Sequence, residues 1–243
     1  MSDFNYDVVS VDVQDSPMDV FLFSPEGDGP YPGIVLAQHI PVGHTGIEND
    51  TFTLTTAQRF ANSGYVVAVP FIFHWWSKAD SMDIKKNESR DDWIVLDIKA
   101  AFDLLCSQDF VDADRVAMVG HCWGGRVAWL AACYINQFKA LAIFYGGNIK
   151  RWLGKGSTAP ILLADNISCP VIGFFGNEDE NPLPIDVDDY SAALSKADIS
   201  HTFHQYDGAG HAFQNFPVQE RYFKEASEDA WEKVVVFLNK QLA

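Results

Sequence analysis

The 243-residue chain carries a formal net charge of −16 and is 48% hydrophobic. That size and apolar fraction suit one domain, residues 1–243, around a large core, and the acidity argues against nucleic acid or an anionic membrane surface as a partner. Four cysteines in so long a chain are no disulfide framework. No apolar run nears the ~18 residues of a membrane span, and residues 1–6 show neither the basic nor the apolar part of a secretory signal, so a reducing cytoplasm is expected.

Residues 8–13 and 19–23 alternate apolar with polar, as antiparallel edge strands do. Turn chemistry over 25–32 leads into a buried strand at 33–37. A helix is expected at 53–63, ended by Gly64, and a buried strand at 65–69, stopped by Pro70. Residues 71 to about 88 read as a loop that is aromatic at its start. Ser89, Arg90, Asp91 and Asp92 look like the cap of a helix reaching about Cys106, with Ile94, Ile98, Ala101 and Leu105 on one face. A short strand at 116–119 precedes a helix at 126–134, and a strand at 141–145 precedes an irregular stretch, 146–168, with room for a short helix. Strands at 171–175 and 202–206 flank a helix near 188–197, and a final helix covers about 220–242. Buried strands alternating with helices imply an α/β fold: a mainly parallel sheet with helices on both faces.

Between strand 116–119 and helix 126–134 lies Gly120-His121-Cys122-Trp123-Gly124, a G-x-nucleophile-x-G pattern with cysteine where serine is usual. Strand, tight turn and helix are what the nucleophile elbow of an α/β-hydrolase fold requires. Glycines allow the sharp turn, and the helix dipole favours thiolate over thiol. A buried cysteine in a glycine-rich turn would look the same in this segment alone. The fold, however, also places an acid and then a histidine after the nucleophile, and both are present. Strand 171–175 runs into Gly176-Asn177-Glu178-Asp179, and strand 202–206 into Asp207-Gly208-Ala209-Gly210-His211. In that set Cys122 attacks a carbonyl, and His211 acts as base and then acid. A carboxylate orients the ring, with Glu178, Asp179 and Glu180 as candidates. The oxyanion hole would take the Trp123 amide and a second amide from the turn after strand 33–37. Cys106, Cys133 and Cys169 sit in apolar helical runs or at a strand start and read as packing residues. No H-E-x-x-H or C-x-x-C occurs, and His201 and His204 point to opposite faces of a strand, so no metal site is expected.

The segments Gly120 to Gly125, Phe175-Gly176-Asn177-Glu178-Asp179, Gly208-Ala209-Gly210-His211-Ala212-Phe213 and the strand Gly33 to Gln38 together resemble the dienelactone hydrolase family of α/β-hydrolases. The resemblance spans most of the chain. It implies cofactor-free hydrolysis of a small ester or lactone through an acyl-cysteine intermediate. It puts Asp179 at the family's Gly-x-x-Asp position and makes Ile40 the second oxyanion donor. Two departures stand out. Where founding members carry a glutamate that partners the resting thiol, this chain has His39, expected either to handle the thiol proton or to line the pocket rim. Where the family grips a substrate carboxylate with an arginine four residues past the catalytic histidine, this chain has Asn215; Arg90 and Lys78 are the other candidate cations.

Substrate contacts are expected from His39, Phe213, Asn215 and the loop residues Phe73, Trp75 and Trp76. That loop follows a strand end, on the side where α/β sheets bind ligands, and reads as an apolar pocket wall, with core packing or a subunit contact as the alternative. Neutral, rather hydrophobic esters or lactones are therefore the expected substrates, for a monomer or homodimer. Thioesters or activated phosphate esters are the enzymatic alternative, and a small-ligand-binding scaffold the non-enzymatic one.

Overall fold

The computed structural model describes residues 4–243. An eight-stranded sheet runs through it in the order β1-β2-β4-β3-β5-β6-β7-β8. The strands are β1 (Asp7–Val13), β2 (Ser16–Phe23), β3 (Tyr31–Ala37), β4 (Val66–Pro70), β5 (Val111–His121), β6 (Ala140–Phe144), β7 (Val171–Gly176) and β8 (His201–Tyr206). β1, β2 and β4 pair antiparallel and every other pair is parallel. Only β1 of the first hairpin is an edge strand; β2 lies inside the sheet, which is why its last four residues are all buried.

The helices are α1 (Val42–Thr45), α2 (Thr51–Asn62), α3 (Met82–Glu88), α4 (Asp91–Cys106), α5 (Trp123–Tyr134), α6 (Pro184–Lys196) and α7 (Lys224–Gln241). On one face α2 meets α7, where Phe60 and Trp231 lie 4.7 Å apart and the Arg59 guanidinium covers the same indole. On the other, α5 packs against α4 and, through Trp129 and Tyr190, against α6. Covered on both sides, β4, β6 and β7 are buried at every position and read as unbroken apolar runs. The ends of β5 to β8 are levelled by a ladder of stacked rings. His121, Phe144, Phe174 and His204 are register partners on adjacent strands, with centroids 4.3, 4.7 and 5.4 Å apart.

Several elements differ from the sequence expectation: β2 and α5 each start three residues early and α6 four. β5 starts five residues early, because the polar stretch Asp112–Arg115 still extends beside β3 although it buries little. Ser89 does not cap α4: its hydroxyl closes α3 by donating to the Lys85 carbonyl, while Asp91 is buried at the start of α4. α7 begins at Lys224, not near 220, since residues 216–221 are spent in turns.

The segment 71–88 is the larger correction. It contains α3, capped by Ser81, whose hydroxyl accepts from the Ile84 amide, and its aromatics turn inward. Phe71, Ile72 and Phe73 join the core. Trp75 stacks on Trp93 of α4 at 4.6 Å and donates its indole N–H to Asp97. His74 bridges the Ser16 hydroxyl and Asp97, both at 2.9 Å. These bonds fasten the segment to α4 and to the first hairpin. No helix among the described residues is long and apolar enough to cross a membrane.

Candidate active site

Cys122 stands between the end of β5 and the start of α5 with φ 57° and ψ −119°, a left-handed conformation that costs a residue with a Cβ on the order of 1–3 kcal/mol. The neighbouring glycines make it attainable. A Cβ on Gly120 would run into the Gly124 carbonyl, and one on Gly124 into the Ala37 carbonyl. The turn aims the sulfur at His211, whose Nε2 lies 3.0 Å from Sγ. The Trp123 and Ile40 backbone amides lie beside the sulfur and favour its charged form. On its other side the His211 ring holds Asp179, Nδ1 to Oδ2, at 2.9 Å.

Asp179 is buried and its second oxygen accepts the Asn181 amide at 2.8 Å, whereas Glu178 and Glu180 point to solvent. That orientation separates three carboxylates that sequence spacing alone left in competition. Tyr145, also left-handed at φ 39°, lies edge-on to the His211 ring at 5.4 Å. Burial first, then the charges at Cys122 and Asp179, push its phenol well up, so it stays neutral.

The electrostatics favour a thiolate–imidazolium pair. Burial raises the Cys122 thiol, but the His211 bond and charge, with the two amides, bring it below its ordinary value. For His211, burial disfavours the cation, but the bonds to Asp179 and Cys122 outweigh it and push the imidazole up to about 10. The other cysteines behave oppositely: burial raises Cys133 and Cys169 to about 12, and raises Cys106.

Beside Cys122 opens a cleft of about 370 Å³, lined by Ile40, Trp123 and His211 together with Lys86 and Asn87 of α3, Gly147, Asn148, Arg151 and Leu153 after β6, and Asn181 after β7. Lys86 and Arg151 are solvent-exposed, and neither takes part in an ion pair among the described residues. The loop carrying Asn148 and Arg151 is held from beneath by the buried Arg126. Its Nη2 donates to the Arg151 carbonyl at 2.7 Å and its Nε to the Asn148 carbonyl at 3.3 Å, while Nη1 sits 2.7 Å from Asp91. Asp91 also accepts the Leu153 amide at 2.9 Å.

A family model for the dienelactone hydrolase family matches residues 18–242. The chain belongs to the dienelactone hydrolase family. Curated relatives agree. A Synechocystis protein named "Putative carboxymethylenebutenolidase" is 28% identical over 251 residues, covering 99% of this chain and 98% of its own. A protein of the same name from Escherichia coli K12 is 28% identical over 216 residues, covering 86% and 77%. Among solved structures, a dienelactone hydrolase-like promiscuous phosphotriesterase from metagenomic libraries superposes with TM-score 0.81 at 17% identity, over 98% of this chain and 99% of that one; the likeness is one of fold. The protein is a hydrolase of this family, with an α/β-hydrolase fold.

Within this family member, the structure brings Cys122, Asp179, His211, Ile40 and Trp123 together and leaves the other expected residues outside the cleft. His39 turns away from the sulfur, its Nε2 held 2.9 Å from both oxygens of Asp50. Phe213 is fully buried between Tyr145 and Tyr206, at 5.2 and 5.3 Å. Asn215 is buried in the turns after His211, its backbone N–H donating to the Ala212 carbonyl. Phe73 is core, Trp75 stacks on Trp93, and Trp76 donates to Glu88. Arg90 pairs with Asp92 and Lys78 with Glu48. The cleft residues that sequence reasoning missed are Lys86, Asn87, Gly147, Asn148, Arg151, Leu153 and Asn181. One signal pointed to some of them: Gly146-Gly147-Asn148 follows the carboxyl end of a parallel strand, where α/β sheets place ligands.

Proposed function

We propose that the protein hydrolyses small carboxylic esters or lactones through an acyl-cysteine on Cys122, and that its substrate carries an anionic group. The observation that supports this most is the continuous chain Sγ–Nε2 at 3.0 Å and Nδ1–Oδ2 at 2.9 Å, with two amides already directed at the sulfur. The thiolate adds to the carbonyl carbon, and its electron pair becomes the new C–S bond while the carbonyl pair moves to oxygen. The Ile40 and Trp123 amides take that negative charge. As the oxyanion collapses, the C–O bond breaks and the imidazolium of His211 protonates the departing alkoxide. Neutral His211 then takes a proton from water, hydroxide adds to the thioester, and collapse expels the thiolate with the acid product. Asp179 holds the ring in the orientation both steps need.

The anionic part of the reading rests on Lys86 and Arg151, two cations that line the cleft with no ion pair among the described residues, in a chain with net charge −16. They replace the aromatic wall expected from residues 71–76. A phosphotriester, the substrate class for which the metagenomic neighbour is named, is neutral and gains nothing from these cations, so carboxylic esters and lactones come first. A purely ligand-binding role leaves the activated thiolate without a use.

Rapid mixing with a p-nitrophenyl ester tests the mechanism. A burst of nitrophenol equal to the enzyme, and a mass increase of one acyl group on Cys122, are expected. Steady turnover by Cys122→Ala at the wild-type rate would overturn it.

A further inference from the structure

His39 lies against the site without touching the sulfur, and its contacts show a different use. It immediately precedes Ile40, which lines the cleft beside Cys122 and Trp123 and whose amide favours the charged sulfur. The His39 side chain is 6% exposed, and Nε2 lies 2.9 Å from both oxygens of Asp50. Asp50 is itself fixed, as the cap of α2: its Oδ2 accepts the Thr53 amide at 2.8 Å. The same first turn of α2 reaches the other donor loop. Phe52 lies 5.0 Å from the His39 ring and 5.3 Å, edge-on, from His121, the residue before Cys122. One helical turn thus clamps both segments that deliver amides to the reacting atom.

We infer that His39 is a positioning residue for the hydrolysis proposed above, on which this inference rests. Through Asp50 it sets the direction of the Ile40 amide, and so the geometry of the oxyanion hole, without handling the thiol proton. The physical reason is local. Residues 38–41 join β3 to α1 by a turn, and a backbone amide at a strand end has no ladder partner to hold it. A charged bond from the adjacent side chain to a helix cap supplies the missing restraint, and capping in turn orients Asp50.

Two rates separate this role from a role at the sulfur. Alkylation of Cys122 by iodoacetamide needs the thiolate, which His211 chiefly stabilises and the Ile40 amide least, and forms no oxyanion; acylation by p-nitrophenyl acetate needs both. Full loss of an oxyanion donor costs about 10²–10³ in rate, so a loosened one should cost about 10- to 100-fold. His39→Leu should slow the acylation burst by that factor and leave alkylation within about threefold. His39→Gln, whose amide can still donate to Asp50, should recover most of the burst. Should His39→Leu fail to fold, judged by its melting curve, Asp50→Asn keeps a cap oxygen, weakens the charged bond, and should show the same split to a smaller degree. Acylation and alkylation falling together, or an unchanged burst, would overturn the inference. A wild-type enzyme alkylated rapidly but showing no burst with any ester would instead remove the hydrolytic reading itself.

Discussion

Removing the cleft cations should separate charged from neutral substrates. In the double variant Lys86→Gln, Arg151→Gln, the mono-p-nitrophenyl ester of succinate should lose far more kcat/KM than p-nitrophenyl butyrate, which has the same chain length without the carboxylate. Both side chains are exposed, so the attraction is that of a half-solvated pair. At ~4 Å it is about 1 kcal/mol in bulk water and about 4 kcal/mol at an effective dielectric near 20, and holding a long side chain in one rotamer takes some of that back. A net ~1 kcal/mol per cation gives a loss of roughly fivefold each, or about 30-fold for the pair, if the two act independently. The assay is the ratio of kcat/KM for the two esters, measured at low ionic strength and again near 0.5 M salt. Wild type should lose part of its preference for the anion in salt, because such exposed charges are screened over less than ~10 Å. The double variant should show little salt effect. A ratio unchanged by the mutations, or both esters falling alike, would refute the argument that these cations read the substrate.

Iodoacetamide should modify Cys122 well before Cys106, Cys133 or Cys169, since burial holds those three thiols up; mass mapping of the adduct checks this, and even labelling would contradict it. The alkylation midpoint should lie below that of an ordinary thiol. In His211→Gln the midpoint should move upward, because burial opposes ionisation of Cys122 and the imidazole is what outweighs it. His211 is raised from 6.5 to about 10, so its stabilising contribution is complete below its unfolded value and drains away as the pH climbs through about 10. Melting curves of wild type and His211→Gln should therefore converge in alkali; a gap that widens there would contradict the ion pair. Phe73→Ala should cost about 3–5 kcal/mol in urea unfolding with little change in KM, as expected of core and not of a pocket wall. Arg126→Met should cost about 3–5 kcal/mol by leaving Asp91 buried without its partner, and should lower kcat/KM for the anionic ester through the loop that carries Arg151.

Much of this protein is legible in its sequence because the relevant signals are local. Period-two alternation, apolar runs and turn residues located all eight strands, although β5 begins five residues before its apolar run. The elbow is recognisable at Gly120–Gly124 because a strained turn tolerates few residue types, and the Cys122, Asp179, His211 order follows from strand ends that each deliver one group. Even where the family pattern named Asp179, burial is what distinguishes it from Glu178 and Glu180, and burial is a property of the folded chain. Side-chain direction was the least legible feature. Phe73, Trp75 and Trp76 follow a strand end on the ligand side of the sheet, yet Trp93, Asp97 and the core draw them inward. His39 precedes Ile40 of the cleft, yet a carboxylate eleven residues later holds its ring. Lys86 and Arg151 are surface residues like any others in the sequence, and they become a pair only because Arg126, Asp91 and α3 bring two distant loops to one cleft. A local sequence window encodes backbone preference and which groups are apolar. Which polar group meets which depends on long-range contacts that form only once the sheet and its covering helices have closed.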